Sequence, residues 1–474
     1  MKYPRIQNYF SGKFVDSNRD YLNVSSPVDG SMLSEVPLSN KTDLNQAVDG
    51  ARKAFPLWSA LTLKERSQFF YRYKFILEQN RGNLAQLVHE ENGKTVGEAN
   101  AEIDKAIEVT EFACSLPQMV CGDVLEVSPG VECRIDQEPL GVVASVTPFN
   151  FPIMVPHWTI PIALVLGNTF ILKPSEKVPL SANRTAELLQ EAGLPAGVFQ
   201  VIHGDRSIVE SICDHPQISA IAFVGSTAAA RSVYIRATSH LKRALAMGGA
   251  KNHLIVLPDA PPEQTAKNIT ASMAGCAGQR CMAASVMIAV GEVDHIIKRV
   301  CEESQKMIPG KNIGPVISEQ AKRRIENYIT NAEQDNAKVL VDGRQTTVPG
   351  FENGHYIGAT VIDHVLPEMS IATEEVFGPV LSIIRAESFE AAMAIESSSE
   401  YGNSAAIYTR DGGMAKDFTK RAKSGMIGVN IGVPIPREPF GFGGWNNSRF
   451  GMGEITGKTS IPFWLQSKKV TTRW

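Results

Sequence analysis

At 474 residues, 43% of them apolar and 20% charged, the chain exceeds the size at which one hydrophobic core stops growing, so two sizeable domains are expected. No apolar run approaches the roughly 18–20 residues that a membrane-spanning helix needs, and a net charge of −3 offers no basic field to nucleic acid or anionic lipid. Seven scattered cysteines, none in a CxxC pair or beside a second Cys/His cluster, argue against a disulfide framework and a metal site. The start, Met1 to Phe14, has neither a long apolar stretch nor an Arg- and Ser-rich bias, so a cytoplasmic protein with small-molecule partners is expected.

Along the chain, Asp43 to Cys121 has helical periodicity. ECRIDQEPL (132–140) is strand-like but has no obvious sheet to join. From 142 onward short apolar runs alternate with amphipathic segments: VVASV (142–146), TFILK (169–173), VFQVI (198–202), AIAFV (220–224) and HLIVL (253–257), separated by helices such as 180–191 and 227–238. This alternation predicts an α/β fold with a doubly wound parallel sheet, whose ligands lie beyond the carboxyl ends of the strands. A second α/β set follows Asp259, with a helix to about Ala277 and strands near MAASVMIAV, VLSIIRA, SAAIYTR and MIGVNIG. The tail FWLQSKKVTTRW (463–474) is a second orphan strand, able to pair with 132–140 as an edge ribbon that a neighbouring subunit would cover. The expected division is therefore a cofactor domain (1–122 and 141–258), a catalytic domain (259–458) and a β oligomerisation ribbon (123–140 and 459–474).

The GxGxxG fingerprint is missing after the first strand of the sheet. In its place FVGSTAAA ends a strand at Gly225 and Ser226 and opens a helix, where free N–H groups and the helix dipole make a seat for a pyrophosphate. Alone, that pattern is more often plain helix capping.

Five motifs occur in order: TPFNFP (147–152), LKPSE (172–176), FVGST (223–227), GQRC (278–281) and EEVFGP (374–379). Together they resemble the aldehyde dehydrogenase superfamily over nearly the whole chain. GAKNH (249–253), FNFPIMVP (149–156) and the residues after Gln279 are similar to its methylmalonate-semialdehyde dehydrogenase branch, which transfers its acyl group to coenzyme A. The resemblance implies Cys281 as nucleophile, a role for which a thiolate is suited because it adds to a carbonyl and is later displaced. It implies Asn150 as oxyanion donor, together with the Cys281 N–H. Thr147, Phe149, Lys173, Glu176 and Lys177 fall where the family binds the adenosine of NAD, and Glu176 would repel the 2′-phosphate of NADP. Gly225 and Ser226 match the pyrophosphate seat. Gly248, Glu375 and Phe377 match the nicotinamide side.

Hydrolytic relatives carry a glutamate in ELGGK that activates water, whereas this chain has MGGAK (247–251) with Met247 in that place. A thioether is no base, so coenzyme A rather than water is the expected acyl acceptor. Glu454, in GMGE, is a carboxylate that could substitute. Arg280, and Lys105 where the branch has arginine, are candidate cations for a substrate carboxylate; an ordinary solvated lysine is an equal reading of Lys105. A coenzyme-A-independent dehydrogenase and a catalytically silent nucleotide-binding relative are the alternatives, and a homodimer or homotetramer is implied.

Overall fold

The computed structural model describes residues 1–17 and 19–474. Two parallel-centred sheets organise it. The first has eight strands in the order Lys13–Val15, Asn8–Phe10, Phe199–Val201, Thr169–Lys173, Val142–Val146, Ala220–Val224, Arg243–Met247, Arg449–Phe450. Its five central strands are parallel, from Phe199–Val201 across to Arg243–Met247. Both flanks are antiparallel additions. The strands at 142–146 and 169–173 are buried at every position, as a sheet covered on both faces requires. Helices Lys41–Ala60, Leu63–Asn92 and Val96–Cys114 precede its parallel strands, each opened by a capping box at Asn40, Thr62 or Thr95. Such reciprocal caps satisfy donors that the first turn leaves free and so fix where each helix begins.

The second sheet runs Lys338–Val341, Thr360–Asp363, Val380–Ala386, Ala284–Val290, Asn252–Val256, Ser404–Tyr408, Met426–Val429. Here the sequence-based division needs correction. The run at 253–257 was expected in the cofactor domain, but Asn252–Val256 pairs in parallel with Ala284–Val290 and Ser404–Tyr408, in the heart of the second sheet. The first sheet is completed instead by Arg243–Met247, whose alanine-rich sequence carries little β-branched signal. The chain therefore crosses between sheets at Gly248–Lys251, ahead of the expected boundary at 258. It also crosses back, because Phe442, Ile455 and Ile461 pack into the first core and Arg449–Phe450 pairs with Arg243–Met247.

The orphan strands do meet. Leu465–Arg473 pairs with Val131–Pro139 along its full length, antiparallel, from Leu465 opposite Pro139 to Arg473 opposite Val131. A third strand, Val124–Ser128, lies on the other side of Val131–Pro139 and is exposed at every residue. Among the described residues no helix is long and apolar enough to cross a membrane.

Candidate active site

Cys281 lies between helix Pro262–Ala274 and strand Ala284–Val290, at the end of a tight turn in which Cys276 and Ala277 both have φ of +52°. That turn is held by close backbone approach. A Cβ on Gly278 would stand 2.0 Å from the Gly378 carbonyl oxygen, so glycine is required for the GQRC and EEVFGP segments to abut. The Cys281 carbonyl accepts from the Asn252 amide at 2.8 Å and the Asn403 amide at 3.3 Å. Cys281 keeps a partly open face, yet the dense protein around it pushes the thiol up to about 12, with the nearby Glu375 charge adding to the shift. Asn403, the Cys281 N–H and Arg280 act in the opposite direction, favouring the thiolate. Cys276 is buried, and its thiol is pushed up by burial.

Asn150 reaches the same turn from the first sheet. It follows strand Val142–Val146, and its Nδ2 donates to the Gln279 carbonyl at 2.9 Å, two residues before Cys281. A side-chain amide has two N–H donors, so the second remains for a ligand. Asn150 does not cap the short helix Met154–His157, whose N-cap residue, Ile153, supplies no side-chain cap of its own. Glu102 takes the first two N–H groups there, those of Ile153 and Met154, at 2.8 and 3.0 Å.

The expected cofactor positions lie at the carboxyl ends of the first sheet and on the second domain's facing loop. Thr147 donates its N–H to the Lys173 carbonyl at 3.0 Å, joining two neighbouring strand ends. Lys173 is buried, which lowers its pKa, and its Nζ stands 3.2 Å from Glu176. Glu176 remains half-buried and Lys177 exposed, with the Lys177 ammonium 5.5 Å from the Phe149 ring centroid. Phe149 meets Phe377 edge to face at 6.0 Å, bridging the two domains. Strand Ala220–Val224 ends at Gly225, and helix Thr227–Ser239 starts after Ser226 with no side chain capping it. The first-turn donors therefore have no capping side chain. Glu375 accepts the Ala250 N–H at 3.0 Å, and burial raises its carboxyl to about 7. Gly248 donates to the Ser448 carbonyl at 2.9 Å.

An aldehyde dehydrogenase family model matches residues 14–470. The chain belongs to the aldehyde dehydrogenase family. Its sequence is 40% identical to the malonate-semialdehyde dehydrogenase of Halalkalibacterium halodurans, with 99% of this chain and 98% of that protein covered. Its fold matches the methylmalonate-semialdehyde dehydrogenase of Oceanimonas doudoroffii with a TM-score of 0.98 at 40% identity, covering 100% of this chain and 99% of that one. A Sinorhizobium meliloti protein assigned to the same activity, solved with NAD, matches equally well at 0.98 and 40%, covering 100% and 98% of the two chains.

In this aldehyde dehydrogenase Met247 ends strand Arg243–Met247, is 2% exposed, and sits in the apolar cluster against which Cys281 packs. Glu454 lies against Gly441 and Gly443 and accepts from the Thr459 hydroxyl. The two candidate cations are already engaged. Arg280 donates from Nε to the Gly275 carbonyl at 3.0 Å and from Nη2 to the Ala271 carbonyl at 2.8 Å, both at the C-terminal end of helix Pro262–Ala274. Lys105 is no solvated lysine: its side chain is 13% exposed, and its Nζ lies 2.6 Å from Glu438 and 3.3 Å from Glu108.

Several groups of the site escaped sequence reasoning. Asn252 and Asn403 were visible only as single polar residues beside apolar strands. Arg324, on helix Glu319–Gln334, reaches the Glu375 carbonyl at 3.4 Å from a distant segment. Lys251 is buried, its pKa lowered to about 7, with its Nζ donating to the Ile371 carbonyl at 2.7 Å.

Proposed function

We propose that this aldehyde dehydrogenase oxidises a semialdehyde with NAD and passes the acyl group to coenzyme A. The observation that carries the acyl-acceptor half is Met247, an apolar side chain in the cluster beside Cys281, where hydrolytic family members have a carboxylate base. The names of the 40%-identical relatives support the substrate class.

On this reading the Cys281 thiolate adds to the aldehyde carbon, and the oxygen becomes an oxyanion held by the free Asn150 N–H and the Cys281 N–H. Bound NAD supplies the hydride acceptor, and loss of hydride leaves a thioester on Cys281. The coenzyme A thiolate then attacks the acyl carbon, and the Cys281 thiolate departs. The uncapped start of helix Thr227–Ser239 would seat the pyrophosphate, with Lys173 and Glu176 at the ribose. Because burial holds the Cys281 thiol protonated at neutral pH, a cationic nicotinamide ring beside it would favour the thiolate.

Arg280 and Lys105 are the proposed readers of a substrate carboxylate. Glu438 occupies Lys105 in their present arrangement, so a substrate carboxylate would compete with it. The exposed edge strand Val124–Ser128, with Val124, Leu125 and Val127 facing outward, supports assembly with further copies of the chain through the ribbon. Following NADH formation over a panel of semialdehydes and neutral aldehydes, with and without coenzyme A, tests substrate class and acyl acceptor together.

A further inference from the structure

Helix Val96–Cys114 carries two carboxylates one turn apart, Glu98 and Glu102, and each grips a different half of the site. Glu98 accepts the Cys276 N–H on Oε1 at 2.5 Å, while its other oxygen completes the helix cap with Thr95. Cys276 opens the left-handed turn that leads to Cys281. Glu102 accepts the Ile153 and Met154 N–H groups on Oε1, and its other oxygen pairs with Lys94. Lys94 also donates to the Asn150 carbonyl and lies 3.6 Å from the Phe151 ring centroid. The Lys94 and Glu102 side chains are 2% and 0% exposed, and Asn92 adds a bond to the Phe149 carbonyl at 2.9 Å.

Nothing in apolar packing requires this. A buried ion pair is often no more stabilising than an apolar pair of similar volume, so the Lys94–Glu102 pair is weak evidence of a purely stabilising role. The geometry suggests another: residues 150–154 hang from the first sheet and residues 276–281 from the second domain, and one rigid helix turn touches both. Residues four apart lie on one helix face, so the spacing of Glu98 and Glu102 fixes the distance between the two loops.

We infer that Glu98 and Glu102 are positioning residues, which set the Asn150 amide against the Cys281 turn through Lys94 and the backbone N–H groups of residues 153, 154 and 276. The inference rests on the roles proposed for Cys281 and Asn150. Neither carboxylate touches the reacting atoms.

The test is a double-mutant cycle on the rate of the pre-steady-state NADH burst, with NAD affinity measured alongside. Asn150→Ala alone should slow the burst; if it does not, the proposed role of Asn150 fails and the positioning of that residue by Glu102 falls with it. Glu102→Gln is expected to slow the burst about tenfold or more with KM and NAD affinity little changed, and to add less than about twofold in the Asn150→Ala background, because it acts through that residue. Equal losses in both backgrounds, or an unaltered burst, would overturn the inference. The second arm is independent of whether Glu102→Gln folds. Glu98→Gln, whose amide oxygen can still accept the Cys276 N–H, should retain the burst, and Glu98→Ala should lose about tenfold. A Glu98→Ala enzyme with a full burst rate contradicts the positioning role.

Discussion

Gly278 stands against Gly378 so closely that no side chain fits between them, and this single contact brings the turn bearing Cys281 to the segment bearing Glu375 and Phe377. The φ of +69° at Gly278 compounds the restriction, since L side chains rarely adopt it. Gly278→Ala is therefore expected to cost about 1–2 kcal/mol from the backbone conformation alone, with the clash adding to it, and to abolish most activity by displacing Cys281. Thermal unfolding and NADH assays check this. An alanine variant with unchanged Tm and turnover would mean the contact is dispensable.

The buried thiol sets a second expectation. With its pKa near 12, Cys281 in the NAD-free enzyme should react slowly with iodoacetamide at pH 7, the rate rising about tenfold per pH unit without a plateau below about pH 10. NAD should accelerate alkylation at neutral pH. Cys281→Ser should remove turnover while NAD still binds, and Cys276→Ser should be nearly neutral. A plateau near pH 7 without cofactor would show that the thiolate is already formed.

Much of this was legible in the residues, and what was not has a physical cause. The five motif loops could be read because glycine, proline and a reactive side chain fall together at strand ends. Strand Asn252–Val256 was recognisable as a strand but assigned to the wrong sheet, because a strand buried on both faces carries no mark of its neighbours. Arg243–Met247 was missed for want of β-branched residues. Glu98, Glu102 and Lys94 read as ordinary charges on and before a helix, since their importance arises only when residues more than fifty positions away fold against them. The ribbon was legible because two alternating segments lacked any other partner.

Cofactor choice follows from Glu176, half-buried beside Lys173 at the end of strand Thr169–Lys173. NAD should be preferred over NADP by more than about tenfold in kcat/KM, because a 2′-phosphate would meet the carboxylate at close range. Glu176→Gln should narrow the gap. Equal efficiency with both cofactors in the unaltered enzyme would remove Glu176 from this position.

The Lys105–Glu438 pair predicts a specificity effect. If Glu438 competes with a substrate carboxylate for Lys105, Glu438→Gln should lower KM for a malonate-type semialdehyde about five- to tenfold and leave propanal little changed. Arg280→Leu should raise KM for the charged substrate more than for propanal. Equal changes on both substrates would show that neither cation reads a carboxylate.

Met247 replaces the carboxylate with which hydrolytic relatives activate water, so turnover is expected to depend on a thiol acceptor. Quench-flow measurement of NADH from a semialdehyde without coenzyme A tests it directly. A burst of one NADH per active site followed by a stall is expected, with steady turnover restored when coenzyme A is added. Multiple turnovers at full rate without coenzyme A would contradict it.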